Sequence, residues 1–316
     1  MADLTISIVN WNTKKLLKSC LESIINQTKE LNYSIWVVDN NSSDGSIGMI
    51  EEIFPQVQLI KNKANIGFSK ANNQILSACE GKYVLLLNSD TQVIGNTVKG
   101  LFDFIEGHPD AGAAGCKILN ADGSLQTSCG RFPGLLSIFF GGEFCNKLYK
   151  KIFKNSTFFA EYGLTKEDHQ DFQEVDFVKG CCLILRKSVL ERTGLLDENF
   201  FMYCEETDLC YRIKQQGMKV LYTPEPEVIH FDGQSSIYKD QTVCRNLSSQ
   251  EFYFRKHFGG LCAHAMKWIV AIGSLIRIPL FLIAYICVRK GKRPFIKFKL
   301  IWNLYALKWL VSGNNT

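Results

Sequence analysis

Four groups of ionisable residues stand at the ends of apolar runs, and their types suit work on a charged substrate. Asp39 follows IWVV and Asp90 follows LLLNS, while Glu205, Glu206 and Asp208 follow FFMYC and His230 follows EVI. A short apolar run ending in a polar group reads as a buried strand that delivers the group to a sheet edge. In open α/β sheets, ligands gather beyond the carboxyl ends of the strands. If these strands run parallel, their ends share one edge, and the carboxylates and the imidazole converge there. Carboxylates collect around a diphosphate only with a cation between them. Magnesium and manganese take carboxylate, water and phosphate oxygens, and manganese also accepts an imidazole. We therefore expect Asp90, at the end of VLLLNSDT, to hold a divalent metal and the metal to hold a nucleotide diphosphate. Such a metal offsets the charge that builds on a departing nucleoside diphosphate.

Each group also has a plainer role. Asp90 could cap the next turn, Asp39 could cap the NNSSDG turn, and His230 could be a satisfied core histidine. Asp208 and Arg212 stand four apart on a predicted helix and suit an ion pair. Glu205 and Glu206 fall in the first turn of that helix, where negative charge complements the helix dipole. Two adjacent acids after an aromatic cluster would also raise a carboxyl pKa. A raised carboxylate near a substrate hydroxyl is a general base.

The elements that position these groups alternate. Leu4 to Val9 reads as a strand. Asn12 or Thr13 can cap a helix in which Leu16, Leu17, Cys20, Leu21, Ile24 and Ile25 form one stripe. Tyr33 to Val38 is a second strand, ended by the turn cluster from Asp39 to Gly45 and followed by a short helix through Ile53. Val57 to Ile60, a helix carrying Ala71, Ile75 and Leu76, the Val84 strand and a helix around Val98 to Ile105 complete the pattern. Such β-α alternation predicts a parallel sheet with right-handed crossovers and helices on both faces. The first strand is followed by NWNTKK rather than GxGxxG, which counts against a nicotinamide or flavin dehydrogenase. The stretch from Arg131 to Phe172 mixes aromatics with lysines without a clean period and reads as a lid-like excursion. Beyond it, Val175 to Leu185 predicts a strand, Lys187 to Arg192 and Glu205 to Gln216 helices, and Lys219 to Thr223 and Glu227 to His230 two strands.

The chain has 316 residues, 46% of them hydrophobic and 21% charged, enough for a large core in one or two domains. Its net charge of +5 concentrates late. From Lys256 to Lys308 ten Lys or Arg residues face no Asp or Glu, which points to an anionic membrane surface. Neither zinc-finger spacing nor a basic helix free of apolar neighbours is present, so nucleic acid is not an expected partner. Trp268 to Val288 matches the roughly 20 residues of a bilayer span. Arg277 and Pro279 within it argue against a clean crossing, since a central Arg costs at least ~2.5 kcal/mol. Phe295 to Val311 mixes lysines, tryptophans and aliphatics, as an interfacial helix does. The alternative for this pair is packing on the catalytic domain. None of the 12 cysteines forms a CxxC pair, and MADLTISIVNW reads as leading directly into structure, so no signal peptide is expected. Free thiols in a reducing compartment are expected.

Eight segments resemble, in order and spacing, the family 2 glycosyltransferases, and within them the rhamnosyltransferase-like bacterial members. They are SIVNWN, VVDNNSSDGS, NIGFSKANN, LLLNSD, GSLQTS, VKGCCLILRKS, LLDENFFMYCEETDLCYR and IHFDGQSS. The likeness covers roughly Leu4 to Ser236, and the combination is far more specific than any one piece. It implies a GT-A fold, an α/β Rossmann-like and mostly parallel sheet with helices on both faces. It also implies a nucleotide-sugar donor and direct displacement with inversion at the anomeric carbon. Carried over position by position, Asp39 would contact the nucleobase and Asn65 and Gly67 would line the nucleotide pocket. Asn10, Asn41, Asn72, Asn88 and Ser89, in the same motifs, join the donor-binding set. Asp90 would bind the metal as the last position of the family's DxD, and His230 would complete the metal shell. Glu206, second of the family's ED pair, would be the base, with Glu205 beside it as the alternative. Two positions depart from the pattern: Asn88 replaces the first DxD carboxylate, which weakens the metal's hold, and Glu206 stands where Asp is usual. The longer side chain still has to come within hydrogen-bond reach, roughly 3 Å, of the acceptor hydroxyl.

These readings predict an inverting, Mn2+- or Mg2+-dependent hexosyltransferase that uses a dTDP- or UDP-sugar, rhamnose among the candidates. The expected acceptor is a hydroxyl of a cell-surface glycan or of a polyprenyl-diphosphate-linked oligosaccharide. Residues 1–240 would form the catalytic domain, with a nucleotide-binding half at 1–120 and an acceptor-side half at 121–240. Residues 241–316 would add helices that associate with the cytoplasmic face of the membrane, peripherally or re-entrantly. Two rivals are a nucleotidyltransferase, which would release pyrophosphate, and an inactive membrane-tethered protein that binds sugar nucleotides.

Overall fold

The computed structural model describes residues 2–140, 169–231, 239–288, 291 and 293–312. Most of the excursion expected to act as a lid lies outside the described residues. The chain begins β1 (Leu4–Asn10), α1 (Lys14–Gln27), β2 (Tyr33–Asp39), α2 (Ser46–Ile53), β3 (Gln58–Lys61), α3 (Phe68–Ala78) and β4 (Tyr83–Asn88). It continues through β5 (Thr91–Val93), α4 (Thr97–Glu106), β6 (Ala111–Leu119), β7 (Leu125–Gln126), β8 (Cys129–Gly130) and α5 (Leu135–Phe140). After the undescribed stretch come β9 (Gln173–Val175), β10 (Phe177–Val178), β11 (Cys182–Arg186), α6 (Lys187–Thr193), α7 (Glu205–Gln215) and β12 (Lys219–His230). Two long helices end the described chain, α8 (Lys239–Cys287) and α9 (Arg293–Ser312).

The main sheet has the order β3-β2-β1-β4-β11-β6-β12-β5, with β7 on β6 and β9 on β12. Its first half is parallel, as the alternation predicts. β11 then runs antiparallel to both of its neighbours, β4 and β6, so the sheet is mixed. Two reversals cancel. β12, parallel to β6, points the same way as β4, and His230 emerges at the same edge as Asn10, Asp39 and Asn88. The run from Val175 to Leu185 is three short strands rather than one. β9 pairs with β12, but from Asp176 to Lys179 the chain pairs with 128–130 instead, with the Asp176 and Lys179 amides donating to Gly130 O and Ser128 O, before β11 joins β4 and β6. The two strands expected over 219–223 and 227–230 are one strand with a register shift at Pro224–Pro226, where prolines cannot donate to a ladder.

β4 shows why the core has two sides. Leu85 and Leu87 face a cluster with α1, α2 and α4, whereas Val84 and Leu86 face one with α3, α6 and α7. A strand covered on both faces reads as a continuous apolar run, and burying each such side chain contributes about 1.5–3 kcal/mol.

Contact density divides the chain into two compact units. The first comprises the described residues of Met1–Phe132, Leu164–Phe201 and Glu205–Ile237, and the second those of Pro133–Gly163, Met202–Cys204 and Tyr238–Thr316. In the second unit, α8 is interrupted at Gly259, whose φ of +86° and ψ of 171° suit glycine alone. Buried Glu251 is held by Arg255, one turn on, at 2.6 Å, and across the break by Lys267 at 2.9 Å. Lys267 lies over the Trp309 ring and Arg293 over the Tyr285 ring, so α9 returns antiparallel along the second part of α8. Trp268, Leu275, Leu280, Ile283 and Ile286 stand exposed on that part. By length and composition the apolar helix Gln241–Cys287 is sufficient to cross a membrane.

Candidate active site

The carboxyl ends of β1, β2 and β4 are level: Asn10 pairs with Asp39 and Val9 with Asn88. A polar network joins them. Asn10 Nδ2 donates to Asp39 Oδ2 at 2.7 Å and to Ser42 Oγ at 3.1 Å, and the Ser42 amide donates to Asp39 Oδ1 at 2.8 Å. Thr13 Oγ1 donates to Asn10 Oδ1 at 2.6 Å and lies 2.9 Å from Ser89 Oγ. Asp39 is fully buried, so its carboxylate anchors the loop from Asn40 to Ser43. Asn41 stands exposed in that loop at φ +65°, and Asn12 opposite it has φ +54°. Non-glycine residues in this region cost about 1–3 kcal/mol and cluster at functional sites.

A second wall comes from the loop before α3. Asn65 Oδ1 accepts the Gly67 amide at 3.0 Å, and Asn40 Nδ2 donates to Gly67 O at 3.2 Å. Gly67 lies against Phe201, whose carbonyl accepts the Phe68 amide at 2.7 Å. Asn72, expected in the donor-binding set, instead bridges the Ser7 hydroxyl at 2.8 Å and Phe68 O at 3.1 Å and is 1% exposed. Its amide pins α3 to β1, because a buried polar group must be bonded.

The expected metal ligands meet. His230 Nε2 lies 3.3 Å from Asp90 Oδ1 and 3.4 Å from Asn88 Nδ2, and the Phe231 amide donates to Asp90 O at 2.9 Å. Two ligands at right angles on one octahedral ion, each about 2.1 Å away, stand about 3 Å apart. Asp90 and His230 therefore fit a single Mn2+ or Mg2+. Among the described residues no three His, Cys, Asp or Glu side chains gather as a metal group, so phosphate and water oxygens would complete the shell.

The carboxylates at the start of α7 border the same region. Gly180 lies against the Glu206 side chain, and the neighbouring Cys181 thiol, held up by burial, feels both Asp90 and Glu206. Glu205 Oε2 and Glu206 Oε2 are both enclosed without a hydrogen-bond partner. Burial, then the charge of Glu206, pushes the Glu205 carboxyl well above its usual range. Glu206 is also raised by burial, against the opposing pull of backbone amides and Lys179. Glu205 is buried and Glu206 half-buried, so Glu205 retains a proton more readily. Asp208 forms the predicted ion pair, Arg212 Nε to Asp208 Oδ2 at 2.8 Å, and is not an exposed acid. Sequence reasoning missed Thr13, Asn40 and Ser42, whose small polar types signal only turns and caps.

The sequence model described as glycosyl transferase family 2 matches residues 5–194. A curated relative, the N-acetylglucosaminyl-diphospho-decaprenol L-rhamnosyltransferase of Mycobacterium tuberculosis, is 27% identical over 214 residues, covering 64% of this chain and 68% of the relative. Rhamnosyltransferase WbbL of Escherichia coli K12 is 25% identical over 234 residues, covering 72% of this chain and 82% of its own. Among solved structures, the Pyrobaculum calidifontis mannosyltransferase PcManGT, in complex with GDP-Man and Mn2+, superposes with a TM-score of 0.62. It is 14% identical and covers 99% of this chain and 88% of its own. GalNAc-T7 with UDP, GalNAc and Mn2+ gives a TM-score of 0.59 at 14% identity, over 99% of this chain and 56% of its own.

Proposed function

This chain belongs to glycosyl transferase family 2 and has the GT-A fold, and on that premise we propose that it is an inverting, metal-dependent hexosyltransferase of rhamnosyltransferase type. One observation carries the reading. Asp90, 3.3 Å from His230, and Glu206, whose Oε2 is enclosed without a hydrogen-bond partner, both act on the Cys181 thiol between them, at the sheet edge where ligands gather.

Asn65 and Gly67 would line one side of the nucleotide, and Asn41 and Ser89 the other, with buried Asn10 holding Asp39 and Ser42 in place behind them. Asp39 sets the base-side loop from within rather than at its surface. Asp90 and His230 would hold Mn2+ or Mg2+ with Asn88 beside them. Bound there, the ion supplies neutralisation of the charge on the departing diphosphate. Glu205, raised by burial and then by the charge of Glu206, would hold a proton more readily and leave Glu206 as the base. Glu206 takes the proton of the acceptor hydroxyl as its oxygen bonds to the anomeric carbon, while the bond from that carbon to the diphosphate oxygen breaks and the nucleoside diphosphate leaves. Attack opposite the leaving group inverts the anomeric configuration.

The donor would be a dTDP- or UDP-sugar, and the acceptor a glycan or a polyprenyl-diphosphate-linked saccharide. The M. tuberculosis relative, an N-acetylglucosaminyl-diphospho-decaprenol L-rhamnosyltransferase, supports the second. Residues 1–240 would act as the catalytic domain. Residues 241–316 would bind an anionic cytoplasmic membrane face through the exposed apolar residues of α8 and the lysines of α9. A panel of nucleotide sugars with Mn2+, read out as released nucleoside diphosphate, tests the chemistry. Asp90→Ala should weaken donor binding, and Glu206→Gln should keep binding and lose turnover. Released pyrophosphate, or tight donor binding without turnover in the wild-type protein, would overturn it.

A further inference from the structure

Gln126, in the GSLQTS segment, lies outside the expected donor set, yet its side chain touches the imidazole at the metal edge. His230 Nδ1 is 2.8 Å from Gln126 Oε1, and both side chains are buried. Which end of the Gln126 amide faces the ring follows from a chain of hydrogen bonds. Asp122 is an obligate acceptor at neutral pH, and its Oδ1 takes the Ser124 hydroxyl proton at 2.6 Å. Having donated its one hydrogen, Ser124 Oγ can only accept, and it does so from Asn120 Nδ2 at 2.9 Å. That leaves Asn120 Oδ1 to accept from Gln126 Nε2 at 2.9 Å. Gln126 Oε1 then faces His230, and Nδ1 must carry the hydrogen. With the hydrogen on Nε2 alone, two lone pairs would oppose each other at 2.8 Å.

We propose that Gln126 is a positioning residue that holds His230 in the tautomer whose bare Nε2 faces Asp90, preparing both atoms to share a divalent cation. Bare Nε2 and Asp90 Oδ1, 3.3 Å apart, are two lone-pair donors converging on one point, which is what a cation requires. The tight turn between β6 and β7 thus has a second task. The Gly123 amide closes it on Asn120 O at 2.9 Å, and the turn fixes the polarity of a relay running from a surface carboxylate to the metal edge. A partner on the far nitrogen of a metal-bound histidine typically contributes ten- to a hundred-fold in metal affinity, about the loss expected when it is removed.

The inference rests on the metal-site reading of Asp90 and His230, and the test separates the two. Mn2+ alone is titrated into the full chain by electron paramagnetic resonance, without donor or acceptor, for wild type, Asp90→Ala, Gln126→Leu and Gln126→Glu. The His230 tautomer is read in parallel from 1H–15N correlations of the ring. Gln126→Leu should weaken Mn2+ binding about ten- to a hundred-fold and release the tautomer. Gln126→Glu keeps an acceptor in place and should retain both the tautomer and most of the affinity, which a merely structural role would not predict. Gln126→Leu binding Mn2+ like wild type, while Asp90→Ala does not, would overturn the inference alone. So would a wild-type ring protonated on Nε2, or a Gln126→Glu protein as impaired as Gln126→Leu. Wild type and Asp90→Ala binding Mn2+ equally poorly would remove the metal site itself and the inference with it.

Discussion

Replacing Gly67 with alanine should damage the donor pocket through the backbone rather than through any lost side chain. Gly67 has φ +87° and ψ 173°, a region that glycine alone populates freely, and forcing another residue there costs about 1–3 kcal/mol. The new methyl would sit 2.6 Å from Phe201 O and 2.8 Å from Phe201 Cδ2, where real contacts do not occur. The carbonyl it displaces accepts the Phe68 amide, a bond whose loss adds about 0.5–1.5 kcal/mol. The sum is about 2–4 kcal/mol, or roughly 5–15 °C in Tm for a unit of this size. Relief by moving the loop would also carry away the Gly67 amide and carbonyl that Asn65 and Asn40 hold. The donor KM should therefore rise more than kcat falls. Thermal melts and steady-state kinetics over donor concentration measure both. A Tm within about 1 °C of wild type would refute the strain argument. A lowered Tm with an unchanged donor KM would refute the place of this loop in the donor pocket.

Asn88→Asp restores a carboxylate beside Asp90 and should tighten Mn2+ binding by about tenfold, or ~1.4 kcal/mol; equal affinity in a direct titration would show that Asn88 does not face the ion. Glu206 must be ionised to accept a proton, and burial raises its carboxyl. The acid limb of single-turnover rate against pH should then lie above the ordinary glutamate value of about 4.3. A limb at or below that value refutes the assignment. Glu205 is raised as well, so between its unfolded and folded values the native state holds a proton that the unfolded chain releases, and stability falls as pH rises through that window. Glu205→Gln cannot ionise and should gain in urea midpoint over wild type as pH climbs from about 4.5 to 8. A difference independent of pH would contradict the raised carboxyl.

How far the sequence carried depends on whether the relevant signal was local. The strands from β1 to β4 and their helices could be read because apolar period and turn chemistry act within a dozen residues. Asp90 and His230 were legible as ends of apolar runs, and their meeting survived although the sheet was not parallel throughout. The place of β11 was hidden, since a short apolar run says nothing about which strands flank it or in which direction. Asn72 shows the reverse failure. It stands in a motif of pocket residues, but its position on α3 turns it inward to Ser7. Gln126 looks like a surface residue after a turn, and only the register of β7 on β6 brings it to His230.

The insertion of β11 between β4 and β6 also bears on how the chain can be made. Until Arg186 has left the ribosome, both strands lack the neighbour that separates and pairs them. At about 5–20 residues per second, the hundred or so residues between Asn88 and Arg186 take roughly 5–20 s to synthesise. Throughout that interval the nascent parallel half presents an open apolar edge, the template on which strands of other chains add. Bound chaperone should accordingly concentrate on translation intermediates between these two points. A gene divided after residue 120 should yield fragments that become soluble only when expressed together.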